Sequence, residues 1–215
     1  KIYGVPIFTS LFTLEINSDV FYVANLLPEL VPLSTWDEVL EASETILENS
    51  NGNYYGHALL GPTNLPAASL FRAAPSIYMT GAEFCSDSIC MQPTLNDSRA
   101  VDAYEWFRAL YQTTPPGLFD EQDEGAVFSR LFIGEVGIQT AGGWHISWAE
   151  GSGCVDCRYY PLPVPDEDTS LINTVVGNAI YAGLRSTEHP EEVQLFLEWV
   201  LRDDIQNQLK QGSFL

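Results

Sequence analysis

A chain of 215 residues with 46% apolar and 12% aromatic side chains can bury a substantial core, which excludes a disordered chain. Nine Lys+Arg against 29 Asp+Glu give a formal net charge of −20, a field that repels phosphate backbones and anionic headgroups and so places nucleic-acid and peripheral-membrane binding last. No apolar run reaches the roughly 18 residues that a membrane-spanning helix needs.

The acids are spread along the chain and read as a solvated coat. Asp120, Glu121, Asp123 and Glu124 read as the charged first turn of a helix rather than a calcium loop. The opening KIYGVPIFTS contains neither a start methionine nor a signal peptide, so a processed or excised piece is expected, with any targeting segment outside it.

In chain order, two strands open the sequence, Tyr3 to Ile7 around Pro6 and Leu11 to Ile16, with Asn17 and Asp19 turning the chain into a short apolar helix from Val20 to Leu27. After a Pro-rich connector, Thr35-Trp36-Asp37-Glu38 is a capping box, and Val39, Leu40, Ala42, Ser43, Ile46 and Leu47 form the apolar stripe of the helix behind it. A strand follows over Tyr54 to Leu60, then the loop Gly61-Pro62-Thr63-Asn64 and a helix over Ala67 to Ala74. Asn96-Asp97 caps a helix whose buried face is read as Ala100, Val101, Tyr104, Phe107, Leu110 and Tyr111. A helix from about Asp123 to Phe132 is closed by Gly134, and a strand from Val136 to Thr140 delivers the chain to Gly142-Gly143-Trp144, where another helix starts. The last third holds strands near Arg158 to Leu162 and Val175 to Leu184, then a helix with Pro190 at its first position and a stripe from Val193 through Phe196, Leu197, Val200, Leu201 and Ile205 to Leu209. Strands and helices alternate without long repeats, which gives an α/β or α+β class with short, mixed strands.

The four cysteines fall in two tight pairs, Cys85 with Cys90 and Cys154 with Cys157. Two local disulfides are favoured over a structural zinc held by four thiolates, and Asp87 and Asp156 inside the pairs oppose thiolate formation. No nucleophile elbow and no phosphate-cradling glycine loop is present. His57, His145 and His189 are isolated in sequence, and His57 and His189 read as structural. Carboxylate pairs lie mostly in helix first turns, which leaves glycoside hydrolysis as the secondary reading. Trp144, after two glycines at a strand end, combines an indole face with outward backbone N–H groups, a pairing that suits a sugar, whereas Trp148 reads as a core residue.

The order KIYGVPIFTSLFTLEINSDVF, STWDEVLEAS, YYGHAL, PTLNDSRAVDAYEWFRALY, DEGAVFSRLFIGEVGIQTAGGW, YYPLPVP, VVGNAIYAGLRSTEHPEEVQLFLEWV resembles the family 1 extracellular solute-binding proteins of ABC importers, the maltose-binding-protein relatives. The resemblance implies a type II periplasmic-binding-protein-like fold, with this chain forming mainly the second of two lobes: residues 1–8 a strand and hinge crossing from the first lobe, 9–174 the second lobe, and 175–215 a hinge crossing, strand and helix of the first. It implies Ser10, Thr63, Asn64, Trp144, Gly177 and Asn178 as ligand contacts, and leaves Arg72 as either a contact or a surface residue. The function implied is non-catalytic capture of a sugar or other neutral polar solute for ABC permease subunits, by an extracellular or periplasmic monomer, either secreted or lipid-anchored, without cofactor or metal. The alternative is a secreted carbohydrate-active enzyme with a carboxylate pair in the cleft.

Overall fold

The computed structural model describes residues 5–26, 33–61, 66–86, 91–166 and 176–212. The two opening strands are one: β1 (Val5–Asn17) runs for 13 residues, with a register shift between Pro6 and Phe8. Proline lacks the N–H that a ladder requires, so the irregularity falls beside it. Asn17 ends the strand as the cap of α1 (Ser18–Val23), its side chain accepting from the backbone of Asp19 and Val20.

α2 (Trp36–Asn49) starts on the expected capping box, with Thr35 and Glu38 satisfying each other's backbone N–H, and buries Val39, Ala42, Ser43 and Ile46. β2 (Tyr55–Ala58) follows. α3 (Pro66–Met79) is longer than the sequence suggests because it continues through Pro75. An interior proline costs about 3 kcal/mol, and burial of Ala74, Ile77 and Met79 offsets it.

α4 (Ser98–Tyr111) starts at the expected Asp97 cap, but its buried face is Ala100, Ala103, Trp106 and Leu110. Val101, Tyr104 and Tyr111 point to solvent. The rotation is set by Trp106, which stacks on Trp36 with centroids 4.7 Å apart and donates its indole N–H to the Trp36 carbonyl at 3.2 Å. A stacked aromatic pair contributes about 0.5–1.5 kcal/mol beyond its area.

Past a short 3-10 turn, Asp123 caps α5 (Glu124–Phe132), and Gly134 at φ +75° turns the chain into β3 (Val136–Gly142). α6 (His145–Ser152), β4 (Cys157–Tyr160), β5 (Val176–Tyr181), α7 (Pro190–Val200) and α8 (Asp203–Gly212) complete the described chain. The single terminal helix expected from sequence is therefore two. Asp203 and Asp204 favour the positive end of a new helix over the middle of an old one, and of the expected stripe Val200 and Ile205 are buried while Phe196 and Leu201 are exposed.

β1 organises the sheet. Its second half pairs antiparallel with β3 on one side and β4 on the other, and β2 joins β3 in parallel. Its first half pairs antiparallel with β5. Leu14, Ile16 and Ile138 face α1, α2 and α4 in the largest core cluster, while Val127, Phe128 and Leu131 of α5 pack in separate clusters.

Candidate functional site

The change of partner along β1 falls within two residues: Leu11 pairs with Val176 of β5, and Phe12 pairs with Gly142 of β3. The ends of β3 and β5 therefore meet β1 at adjacent positions. Ser10 pairs with Gly177, and Thr9 pairs with Asn178. The Gly143 N–H donates to the Leu11 carbonyl at 3.1 Å, and a Cβ placed on Gly143 would stand 3.5 Å from the Ser10 hydroxyl. Ser10, Gly143-Trp144 and Gly177 are thus brought together at the crossover. Thr63 and Asn64 lie outside the described residues, and of Asn178 and Gly177 the described feature is the backbone pairing.

Trp144 immediately precedes α6 and is half-buried. Its indole stacks parallel to Phe71 at 6.4 Å, meets Phe12 edge-on at 5.7 Å, and lies 5.6 Å from the guanidinium carbon of Arg72. Arg72 is buried, so the surface reading for it is corrected. It is salt-bridged to Glu124 and packed over the Phe128 ring at 4.2 Å. Burial pulls its basicity down, and the charge of Glu124 opposes that pull. Trp148, expected in the core, is exposed on one side and stacks on His145 at 4.9 Å. An eight-residue helix with glycine at 151 and 153 leaves its outer face uncovered.

Beneath Trp144 lies a polar row that the sequence analysis missed. Tyr159, Glu15 and Gln139 are cross-strand neighbours on β4, β1 and β3. Gln139 Nε2 donates to Glu15 Oε2 at 2.6 Å, and His145 Nδ1 lies 3.1 Å from the same oxygen. Glu15, Gln139 and His145 are fully buried, and Glu15 Oε1, Gln139 Oε1, His145 Nε2 and the Tyr159 hydroxyl have no protein partner among the described residues. Burial first, then the charges of Glu15 and Glu150, push the Tyr159 phenol up. The available signal was a charged residue inside an apolar strand, FTLEI, but strand alternation assigns that position to the opposite face without saying whether the face is covered.

Among the described residues, Glu124 is engaged by Arg72, and Glu15 by Gln139 and His145. Cys154 and Cys157 are joined in a disulfide, and Cys85 is disulfide-bonded, with Cys90 outside the described residues. A zinc held by four thiolates is thereby overturned, since an oxidised sulfur does not supply the thiolate a zinc takes.

The family model for bacterial extracellular solute-binding proteins matches residues 1–207. The chain belongs to that family. No curated protein matches the sequence. Among solved structures, the ABC transporter solute-binding protein of Thermotoga lettingae bound with α-D-tagatose superposes with a TM-score of 0.79 at 20% identity, over 97% of this chain and 52% of that one. The cyclic α-maltosyl-1,6-maltose binding protein of Arthrobacter globiformis gives 0.73 at 19% identity, over 94% and 49%. An Agrobacterium vitis ABC transporter solute-binding protein with bound D-mannitol gives 0.74 at 17%, over 100% and 50%. At these identities the likeness is one of fold, the α/β architecture of binding proteins, and the chain spans about half the length of the solved proteins it matches. Among the described residues, no helix is long and apolar enough to cross a membrane.

Proposed function

We propose that this chain forms most of one lobe of a two-lobed receptor that captures a sugar or polyol outside the cytoplasm and presents it to ABC permease subunits without breaking a bond. The observation that carries the reading is the convergence of Ser10, Gly143-Trp144 and Gly177 where β1 changes partners. An indole offers a flat apolar surface to the C–H face of a sugar ring, and a hydroxyl beside it offers a hydrogen-bond partner. In this reading Ser10 and Asn178 supply hydrogen bonds, Gly177 allows close backbone approach, and Thr63 and Asn64, outside the described residues, are further contacts. The net charge of −20 favours neutral over anionic solutes. Family membership and the sugar- and polyol-bound solved proteins support this choice of solute.

In this reading residues 9–174 form the second lobe, and 1–8 and 175–215 belong with the first. The exposed apolar side chains Leu184, Leu195, Phe196 and Trp199 support that division, because a β5–α7 segment packed within a first lobe covers such a face. Ligand touching both lobes stabilises a closed state, which the permease recognises. A thermal-shift panel of sugars, polyols and anionic solutes on the two-lobed protein tests this: stabilisation by a neutral sugar or polyol is expected, and stabilisation by anionic solutes alone overturns it. The 215-residue chain alone should bind the same solute far more weakly, since one wall of the cleft is then absent.

A further inference from the structure

α6 is a short helix with little to hold it. Of its residues only His145 and Ala149 are buried, while Ile146 and Trp148 are exposed, and Trp144 at its N-cap makes no side-chain capping bond. Ala149 packs with Leu131 and Cys157, toward the end where the Cys154–Cys157 disulfide closes the following turn. At the end that carries Trp144, the buried anchor is His145.

The His145 ring sits in an aromatic cage. Phe128 and Phe132 of α5 meet it edge-on at 4.6 and 5.9 Å, Trp148 stacks on it at 4.9 Å, and Trp144 stands edge-on at 5.9 Å. A phenyl ring would satisfy such a cage without polar atoms to desolvate. The imidazole adds a direction. Its Nδ1 and Gln139 Nε2, 3.4 Å apart, converge on Glu15 Oε2 at 3.1 and 2.6 Å. A carboxylate oxygen accepts, so Nδ1 carries the proton, and the bond sets the rotation of the ring. Glu15 stands on β1 between Gln139 of β3 and Tyr159 of β4, so the acceptor is held from the middle of the sheet. Stability is a poor reason for this arrangement: apolar side chains of similar volume in place of a buried ionic cluster are often neutral or stabilising, whereas such clusters can specify one arrangement among several.

We propose that Glu15 and His145 are positioning residues for solute capture, building on Trp144 as the solute-stacking surface proposed above. The Glu15 carboxylate aims the His145 imidazole, the imidazole pins the first turn of α6 to the sheet, and the pinned turn holds the Trp144 indole at the β1 crossover. Both residues are fully buried, so neither meets the solute itself.

The test uses the two-lobed protein, with order parameters of the Trp144 and Trp36 indole N–H groups from 15N relaxation and calorimetric titrations of maltose and D-mannitol. In the native protein both indoles should be rigid, with order parameters of about 0.85. Glu15→Leu combined with Gln139→Leu removes the acceptor and leaves the cage whole; the Trp144 value should fall below about 0.6 while that of Trp36 stays. Affinity for maltose or D-mannitol should weaken about three- to tenfold, part of the worth of a stacking contact. His145→Phe, which fills the cage without a bond to Glu15, should loosen Trp144 in the same way, and it decides alone if the double variant does not fold. Glu15→Gln, which keeps an acceptor oxygen, should retain the rigid indole. A lowered Tm with Trp144 as rigid as before, a mobile Trp144 in the native protein, or a loosened Trp144 with unchanged affinity would each overturn the proposal. If neither probe binds the native protein, solute stacking on Trp144 loses support, and the order parameters still decide whether Glu15 and His145 position the indole.

Discussion

A Cβ on Gly142 would stand 1.9 Å from the indole of Trp144: the strand ends in glycine because the tryptophan two residues later folds back across it. That contact fixes where the indole lies, between its own strand, Phe12, Phe71 and Arg72. Gly142→Ala should therefore displace the ring. The expected cost is about 1–3 kcal/mol, typical of an overpacked contact, accompanied by a change in near-ultraviolet circular dichroism. Retained stability with an unchanged spectrum would show that the ring has room to move aside.

Removal of the indole tests its role at the crossover directly. Trp144→Ala in the two-lobed protein should weaken sugar binding by about 1–3 kcal/mol, by analogy with other aromatic stacking contacts. Some loss of stability is also expected because Phe12 and Phe71 lose a neighbour. Calorimetry separates the effects: a lowered Tm with unchanged affinity would reduce Trp144 to a packing residue.

Glu15 accepts from Gln139 and lies against His145 with no solvent contact. Truncation by Glu15→Ala strands both partners inside the sheet and should destabilise the fold by about 3–5 kcal/mol. Glu15→Gln retains an acceptor oxygen and should cost less. Urea denaturation of the two variants gives the order, and equal costs would mean that the carboxylate is not what holds Gln139 and His145.

The His57 ring sets a pH dependence whose sign follows from its environment. Burial lowers its folded-state value from 6.5 to about 4, so the unfolded chain binds a proton that the native chain refuses anywhere between those limits. Stability should fall as pH drops through that window, by about 2 kcal/mol between pH 7 and pH 5. Replacing His57 by Leu should remove this part of the slope in denaturation curves at the two pH values. Asp97 acts in a separate window: its hydrogen bonds with Arg99 hold its carboxyl at about 2, and the stability it contributes is lost only as pH falls from about 3.8 through that value.

The Cys154–Cys157 bond closes a very short loop after α6. On the chain-entropy account a loop of this size contributes about 2 kcal/mol. Replacing both residues by Ser should lower Tm by a few degrees and leave sugar affinity in the two-lobed protein unchanged, because this loop lies at the opposite end of α6 from Trp144. A loss of affinity would mean that the disulfide holds α6, and with it Trp144, in place.

The sequence by itself determined the features whose partners lie within a few residues. The Thr35 and Glu38 capping box, the cap at Asp97, Pro190 at the start of α7 and the positive-φ Gly134 are local arrangements, satisfied by the neighbouring backbone whatever the rest of the chain does. The order of strands and helices and the turn leading to Trp144 were legible for the same reason. Tertiary structure decided what depends on distant partners. α3 continues through Pro75 because Ile77 and Met79 have a core to enter, and α4 turns Trp106 inward because Trp36, 70 residues earlier, offers a ring to stack on. Glu15 is buried because Gln139, 124 positions away, is opposite it and His145 closes over both. The meeting of Ser10, Trp144 and Gly177 belongs to this second kind: alternation and propensity locate each strand, but the crossover exists only once β1 has exchanged β5 for β3 along its length.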